Sequence, residues 1–438
     1  MQYAPKRRDQ IPSEPGSEHI SPTQRNRRTA RVRRKESQGN SYEEYPRRNY
    51  RNVSRRAFIP GMNEIESSNF FLTSFYKHMD KIQPTADPSN GFGGLINMGL
   101  TCYGNAVIQN LRHLSKLVWI MEEGKYNTLF KKKPTERRKK LQDVTSAFAE
   151  IVQLIGKCKN GQSVRPGTFW KRVPGAVHDT LYEQLASKMC HDSHEFFLFL
   201  FEAVHEATSQ DVDMRILRPP PTTPEEKLVH GALKAWQDTF TKEYSPLVHM
   251  FYGMFHQRTE CQECKNVSHR WEAFNALKVP VPQEGANFNL MDALREDMVA
   301  EDIEEYVCEV CGPPRRAAKK TMSIWRMPLA LVITLKRFTN DGKKIHTALA
   351  PLPAIVDFTP YFSKESPEIL GETRYTLRGM VDHHGPPSFG HYTAQCRHLG
   401  NDTWYTYDDE SVREMPTAHF GSSNYMLFLE RHTGAAMA

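Results

Sequence analysis

The side chains a thiol hydrolase needs lie at opposite ends of this 438-residue chain. The first stretch reads Gly94-Leu95-Ile96-Asn97-Met98-Gly99-Leu100-Thr101-Cys102-Tyr103-Gly104-Asn105. The second is Gly390-His391-Tyr392, followed by Trp404 and the pair Asp408-Asp409. In such chemistry a thiolate attacks a carbonyl, an imidazole moves the protons and a carboxylate fixes the imidazole's tautomer. A free cysteine titrates near about 8.5 and is mostly protonated at neutral pH. Cys102 stands just before a helix expected to start near Asn105. The positive end of that helix and an imidazolium would both favour its thiolate. A backbone N–H near Cys102 and the side-chain amide of Asn97 are candidate donors to an oxyanion. Gly93, Gly94, Gly99 and Gly104 are expected to let the backbone approach a substrate. Asp408 follows the alternating run Trp404-Tyr405-Thr406-Tyr407, so it can face His391 across a hairpin. Asp409 points to the other side and stays open as the alternative partner. The loop Gly385-Pro386-Pro387-Ser388-Phe389-Gly390 reads as a cover over a narrow channel.

A second constellation is made of Cys261-Gln262-Glu263-Cys264 and Cys308-Glu309-Val310-Cys311. Each pair can sit on a tight turn and offer two thiolates to one ion. Two such turns make a tetrahedral four-cysteine zinc site with bonds of about 2.3 Å. The turns are far apart in sequence, so paired strands must bring them together. No apolar run opens the chain and no stretch of eighteen apolar residues occurs in it. A reducing compartment, cytoplasmic or nuclear, is therefore expected, with no membrane partner. Paired cysteines there favour metal over disulfide.

The elements that must position these groups change character along the chain. Residues 1–60 hold almost no aliphatic side chains and read as a disordered tail. Residues 1–56 carry 15 basic and 6 acidic residues, leaving 43 basic and 45 acidic in the remainder. The basic excess thus belongs to the tail and says little about the body. Arg25-Asn26-Arg27-Arg28 and Arg31-Val32-Arg33-Arg34-Lys35 read as solvated, as an import signal or as a contact for nucleic acid or acidic proteins. Residues 61–91 read as a linker with a short helix at 70–82. Helical spacing follows from Asn105, over 141–155 and over 193–205. Thr223, Pro224, Glu225 and Glu226 form a helix start. From about residue 245 the pattern turns to strands, among them 329–335, 374–382, 392–398 and 425–430. Helices first and strands later point to an α+β fold with a helical lobe against a sheet.

The motifs resemble those of the ubiquitin-specific protease family of cysteine deubiquitinases. Residues 94–103 resemble its cysteine box, and Tyr375-Thr376-Leu377-Arg378-Gly379-Met380-Val381-Asp382-His383 through Gly390-His391-Tyr392-Thr393-Ala394 its histidine box. Trp404 to Asp409 and Tyr425-Met426-Leu427-Phe428 complete it, with Asp192-Ser193-His194-Glu195-Phe196 and Leu335-Lys336-Arg337-Phe338 between. The resemblance implies Cys102 as nucleophile, His391 as general base, Asp408 as orienting acid and Asn97 at the oxyanion. It implies Asp192, His383, Gly390 and Tyr392 along the substrate tail, and zinc on Cys261, Cys264, Cys308 and Cys311. It implies a papain-like right hand over 92–432, with a thumb at about 92–210, zinc-ribbon fingers at about 250–325 and the palm in the remainder. The closing 433–438 read as a tail. Ubiquitin and ubiquitinated proteins are the implied partners, together with an activating protein. Cys190-His191 departs from a frequent Gln-Gln, Leu100 from a frequent Asn and Ala106 from a frequent Ser, and Pro386-Pro387 should stiffen the cover loop.

Overall fold

Helix α1, Cys102–Arg112, is buried along its whole length, polar residues included. Such a helix must satisfy its polar groups internally. Gln109 donates to the Gly93 carbonyl at 2.8 Å and Asn110 to the Met380 carbonyl at 3.0 Å. Val107 and Ile108 are fully buried. Each contributes about 1.5–3 kcal/mol by burial. The helix is an axle between a helical lobe and a large sheet. This description rests on a computed structural model that describes residues 87–432 except 123, 213, 217, 218 and 388, together with 65–67, 75, 79 and 82. All of them belong to one unit, residues 56–438. The expected tails at 1–60 and 433–438 lie outside the described residues, as does most of the 61–86 linker and its short helix.

The helical lobe adds α2 (Ser115–Glu122), α3 (Glu136–Lys157), α4 (Gly167–Val177) and α5 (Ser193–Thr208). Thr135 caps α3 and Asp192 caps α5 with its side chain. Then come α6 (Pro224–Phe240) and α7 (Pro246–Phe251). At α6 the expected start is found: Thr223 and Glu226 form a reciprocal capping box with Pro224 in the first turn. Three helices escaped the sequence pattern. Helix α4 carries Pro174 in its interior, α7 spans six residues, and α8 (Leu290–Asp297) falls where strands were expected.

The longer strands are β1 (Gly253–Cys261), β2 (Val267–Phe274), β3 (Leu277–Pro280), β4 (Glu301–Cys308), β5 (Gly312–Arg326), β6 (Ala330–Lys336), β7 (Arg374–His384), β8 (His391–Arg397), β9 (Trp404–Asp408), β10 (Ser411–Met415) and β11 (Asn424–Arg431). They form two sheets. The fingers sheet runs β2-β1-β5-β4, all antiparallel. The palm runs β10-β9-β8-β7-β11-β6-β3. Strand β6 lies within the palm, parallel to β3 and antiparallel to β11, which explains its continuous apolar run. One core joins the helices to one face of the palm, through Phe197, Phe251, Val381 and Phe428. A second packs α8 and the base of the fingers on other palm residues, among them Ile333, Leu335 and Leu427.

Candidate active site

The cysteine loop is shaped by one asparagine. Asn97 Oδ1 accepts the backbone N–H of Gly99 at 2.9 Å and of Thr101 at 3.1 Å. Gly99 and Leu100 then take φ of +102° and +57°, so the chain turns sharply and delivers Cys102 as the first residue of α1. The helix therefore begins three residues earlier than the periodicity from Asn105 implied. Leu100 holds a left-handed conformation that asparagine tolerates better than leucine. It is also 54% exposed, so nothing in packing offsets that cost.

Strand register settles how the two carboxylates divide. Ala394 opposes Tyr407, so His391 and Asp408 are diagonal neighbours on one face of the β8–β9 hairpin. His391 Nε2 lies 2.7 Å from Asp408 Oδ1. Asp409 enters the turn at φ +50°, and its carboxylate, though within 4.8 Å of the His391 and Asp408 side-chain atoms, is taken up by two asparagine amides. Its Oδ2 accepts Asn97 Nδ2 at 2.8 Å and its Oδ1 accepts Asn105 Nδ2 at 2.8 Å. Its carbonyl accepts the Leu95 N–H at 2.8 Å. Gly94 passes so close to this turn that a Cβ there would meet the Glu410 carbonyl oxygen at 2.3 Å. Asp409 thus clamps the hairpin that carries Asp408 onto the loop that carries Cys102. Asn105, read from sequence only as a helix start, is half of that clamp.

Cys102 is 3% exposed. Its thiol hydrogen-bonds Cys190, His391 and the backbone N–H of Tyr392, which together overcome burial and draw its pKa down to about 4. The His391 pKa rises to about 9 because the ring hydrogen-bonds Cys102 and Asp408, again against burial. With Nε2 held by Asp408, Nδ1 is the nitrogen left to face the sulfur. The pair rests as thiolate and imidazolium at neutral pH. Only one of the two neighbouring thiols can carry the charge. Cys102 has the imidazolium, whereas hydrogen bonding to Cys102 and burial push Cys190 up.

The remaining expected site residues fall around this pair. Asp192 accepts the N–H groups of His194 and Glu195 at 2.7 and 3.1 Å and the Tyr425 hydroxyl at 2.7 Å. His383 is buried beneath Gly390, where a Cβ would meet its Nε2 at 1.8 Å. Burial lowers the His383 pKa to about 4, with Lys344 adding to the effect. It therefore supports the loop before His391 as a neutral ring. Tyr392 is buried, and its backbone N–H, not its ring, reaches the nucleophile. Among the four glycines expected to open space for substrate, Gly99 alone has nothing within 4 Å of an added Cβ. Gly93, Gly94 and Gly104 make close contacts within the protein, against Cys158, Glu410 and Trp170.

The four finger cysteines converge as the spacing implied. Cys261 ends β1, Cys308 ends β4, and Cys311 precedes β5. Sγ of Cys261 lies 4.0 Å from Cys311, Sγ of Cys264 lies 3.6 Å from Cys308, and all four sulfurs fall within 4.8 Å of one another. A tetrahedron of 2.3 Å bonds has edges of about 3.8 Å. The donor set is thus close enough to hold one metal ion.

A family model of the ubiquitin carboxyl-terminal hydrolases matches residues 93–429. The chain belongs to that family. Over 366 residues it is 27% identical to ubiquitin carboxyl-terminal hydrolase 5 of Saccharomyces cerevisiae, covering 77% of this chain and 44% of that protein. Over 358 residues it is 28% identical to ubiquitin carboxyl-terminal hydrolase 2 of Homo sapiens, covering 78% of this chain and 55% of that protein. The chain spans about half the length of these curated relatives. Among solved structures, the SAGA DUB module Ubp8/Sgf11/Sus1/Sgf73 bound to monoubiquitin matches with a TM-score of 0.59 at 21% identity. That match covers 83% of this chain and 74% of the other, and it establishes the hydrolase fold of helical thumb, palm sheet and fingers.

Proposed function

We propose that this ubiquitin carboxyl-terminal hydrolase family member is a deubiquitinating thiol isopeptidase that cleaves the bond after the C-terminal glycine of ubiquitin. The observation that carries this reading is the alignment Cys102–His391–Asp408 at the start of a buried helix. The Cys102 thiolate attacks the glycine carbonyl. The oxyanion is met by the backbone N–H of Cys102 and by the N–H of Asn97 that Asp409 does not hold. His391 gives its proton to the leaving lysine amine, and an acyl-enzyme thioester remains. His391 then takes a proton from water, which attacks the thioester and frees the ubiquitin carboxylate. Asp408 holds the ring so that Nδ1 faces the sulfur throughout. The segment at Cys190 and the loop at Gly390 touch through a 3.4 Å hydrogen bond, so a substrate tail laid between them would need residues that lack a Cβ.

Zinc fits the finger cysteines by donor type and by sulfur spacing. Cys261, Cys264, Cys308 and Cys311 would hold it, and four filled positions would give it a structural role only. The partners of the reaction are ubiquitin and ubiquitinated proteins. An activating protein is a further partner in this reading, since the solved Ubp8 sits in a module with Sgf11, Sus1 and Sgf73. Cytoplasm and nucleus suit this chemistry, and among the described residues no helix is long and apolar enough to cross a membrane.

Release of a fluorogenic amide from the ubiquitin C-terminus tests the reading. Turnover should fall by at least about 10⁴-fold in Cys102→Ala and in His391→Ala. Turnover of another ubiquitin-like modifier's amide in place of ubiquitin's would overturn the substrate assignment and leave the chemistry standing.

A further inference from the structure

One thiol near the site has no bond-making step of its own in the proposed hydrolysis. Cys190 lies in the turn before α5, between Asp192, which caps that helix, and a short helical turn at Glu183–Ala186. Its segment is fastened to the start of α1: Ser193 Oγ donates to the Tyr103 carbonyl at 3.1 Å, and the His191 ring stands edge-on to Tyr103 at 5.4 Å. Cys190 Sγ donates to the carbonyl of Gly390, the residue before His391, at 3.4 Å. It is also the group that does most to draw the Cys102 pKa down. The other thiols are placed differently. Four belong to the finger cluster, Cys396 is buried in β8, and Cys158 ends α3, where it donates to the Leu154 carbonyl.

We propose that Cys102 and Cys190 form a peroxide-driven, reversible disulfide, with Cys190 as the resolving thiol of a modification site built into the catalytic cleft. The proposal requires of the functional reading only that Cys102 is a reactive thiolate. The Cys102 thiolate attacks one oxygen of hydrogen peroxide. The S–O bond forms, the O–O bond breaks, and the departing hydroxide takes the proton of the His391 imidazolium as water. Sulfur is oxidised to the sulfenic acid and peroxide is reduced. The Cys190 sulfur then attacks that sulfenic sulfur. The S–S bond forms, the S–O bond breaks, and the departing hydroxide takes the Cys190 proton as water. In sum, two thiols and one peroxide give one disulfide and two waters. Two equivalents of a small thiol reverse it. Cys190 sits between two helical segments rather than within one, so its backbone is free of a helix's constraint when the two sulfurs close to a bond of about 2.05 Å. The disulfide blocks the nucleophile and keeps it from the irreversible sulfinic acid.

The test treats the full, zinc-loaded chain with hydrogen peroxide and blocks remaining thiols. Peptide mapping by mass spectrometry follows, before and after dithiothreitol. Wild type should yield a peptide pair joined through Cys102 and Cys190, and dithiothreitol should restore most of its turnover. Cys190→Ser should yield no such pair, accumulate sulfinic acid at Cys102, and recover at least fivefold less of its own starting turnover. Absence of the joined pair in wild type, with Cys102 reaching the sulfinic acid, would overturn the proposal without recourse to any variant. Iodoacetamide labelling of Cys102 at mildly acid pH separates that outcome from an unreactive thiol, which would count instead against the hydrolase reading.

Discussion

The catalytic seam and the finger tip are both assembled from residues distant in sequence, yet opposite forces hold them. The seam is closed from within. Asp409 ties Asn97 and Asn105 to the hairpin of Asp408, and beneath them α1 is buried from end to end. The tip has no such interior. Along β4 only Cys308 is buried, and Val307 and Val310 beside the cysteines stand 56% and 67% exposed. A tip without a core needs a covalent or metal crosslink to keep its shape. The same fold thus builds one site by packing and polar satisfaction and leaves the other to whatever four convergent cysteines can hold.

Breaking each region should therefore have a different signature. Cys261→Ser should take zinc from one per chain to near zero and destabilise the fingers by several kcal/mol, read by elemental analysis and thermal unfolding. Retention of full metal content would remove the contrast. In the seam, Asp409→Ala leaves the buried Asn105 amide and the half-buried Asn97 amide without their charged acceptor. It should cost about 2–4 kcal/mol of stability and lower kcat about 10- to 100-fold, with zinc content unchanged.

The two sites were legible in the sequence to different depths. The finger cysteines could be read as one cluster because two short-spaced pairs already specify two turns. That Cys102 and His391 would be brought together was legible from the motifs, and the strands expected at 374–382 and 425–430 were found at 374–384 and 424–431. Which of Asp408 and Asp409 would hydrogen-bond His391 was not legible, because that rests on the register of β8 with β9 and on a left-handed turn residue. The role of Asn105 was hidden for a similar reason, since its partner Asp409 arrives from the far end of the chain. Helix α4 was missed because Pro174 interrupts its pattern, and α8 because eight residues give too short a period.

Subtler probes sharpen the contrast. The active form needs Cys102 ionised and His391 protonated, so kcat/KM should rise through about 4 and fall through about 9 as pH increases. The Asp408 carboxylate is one cause of the raised imidazole pKa, so Asp408→Asn should move the alkaline limb to lower pH. An unmoved limb would argue against the pairing. The smallest expected effect is at the cysteine loop. Leu100→Asn should raise stability by about 0.5–1 kcal/mol in denaturant unfolding, since Asn tolerates a φ of +57° better.

The central claim is that Cys102 is a preformed thiolate nucleophile for the ubiquitin C-terminus. Its most direct test is covalent labelling with ubiquitin bearing a thiol-reactive group at that terminus, followed by peptide mapping. A single adduct on Cys102, absent in Cys102→Ala, is the result this account predicts. An adduct on Cys190, or none on a folded and zinc-loaded chain, would contradict it.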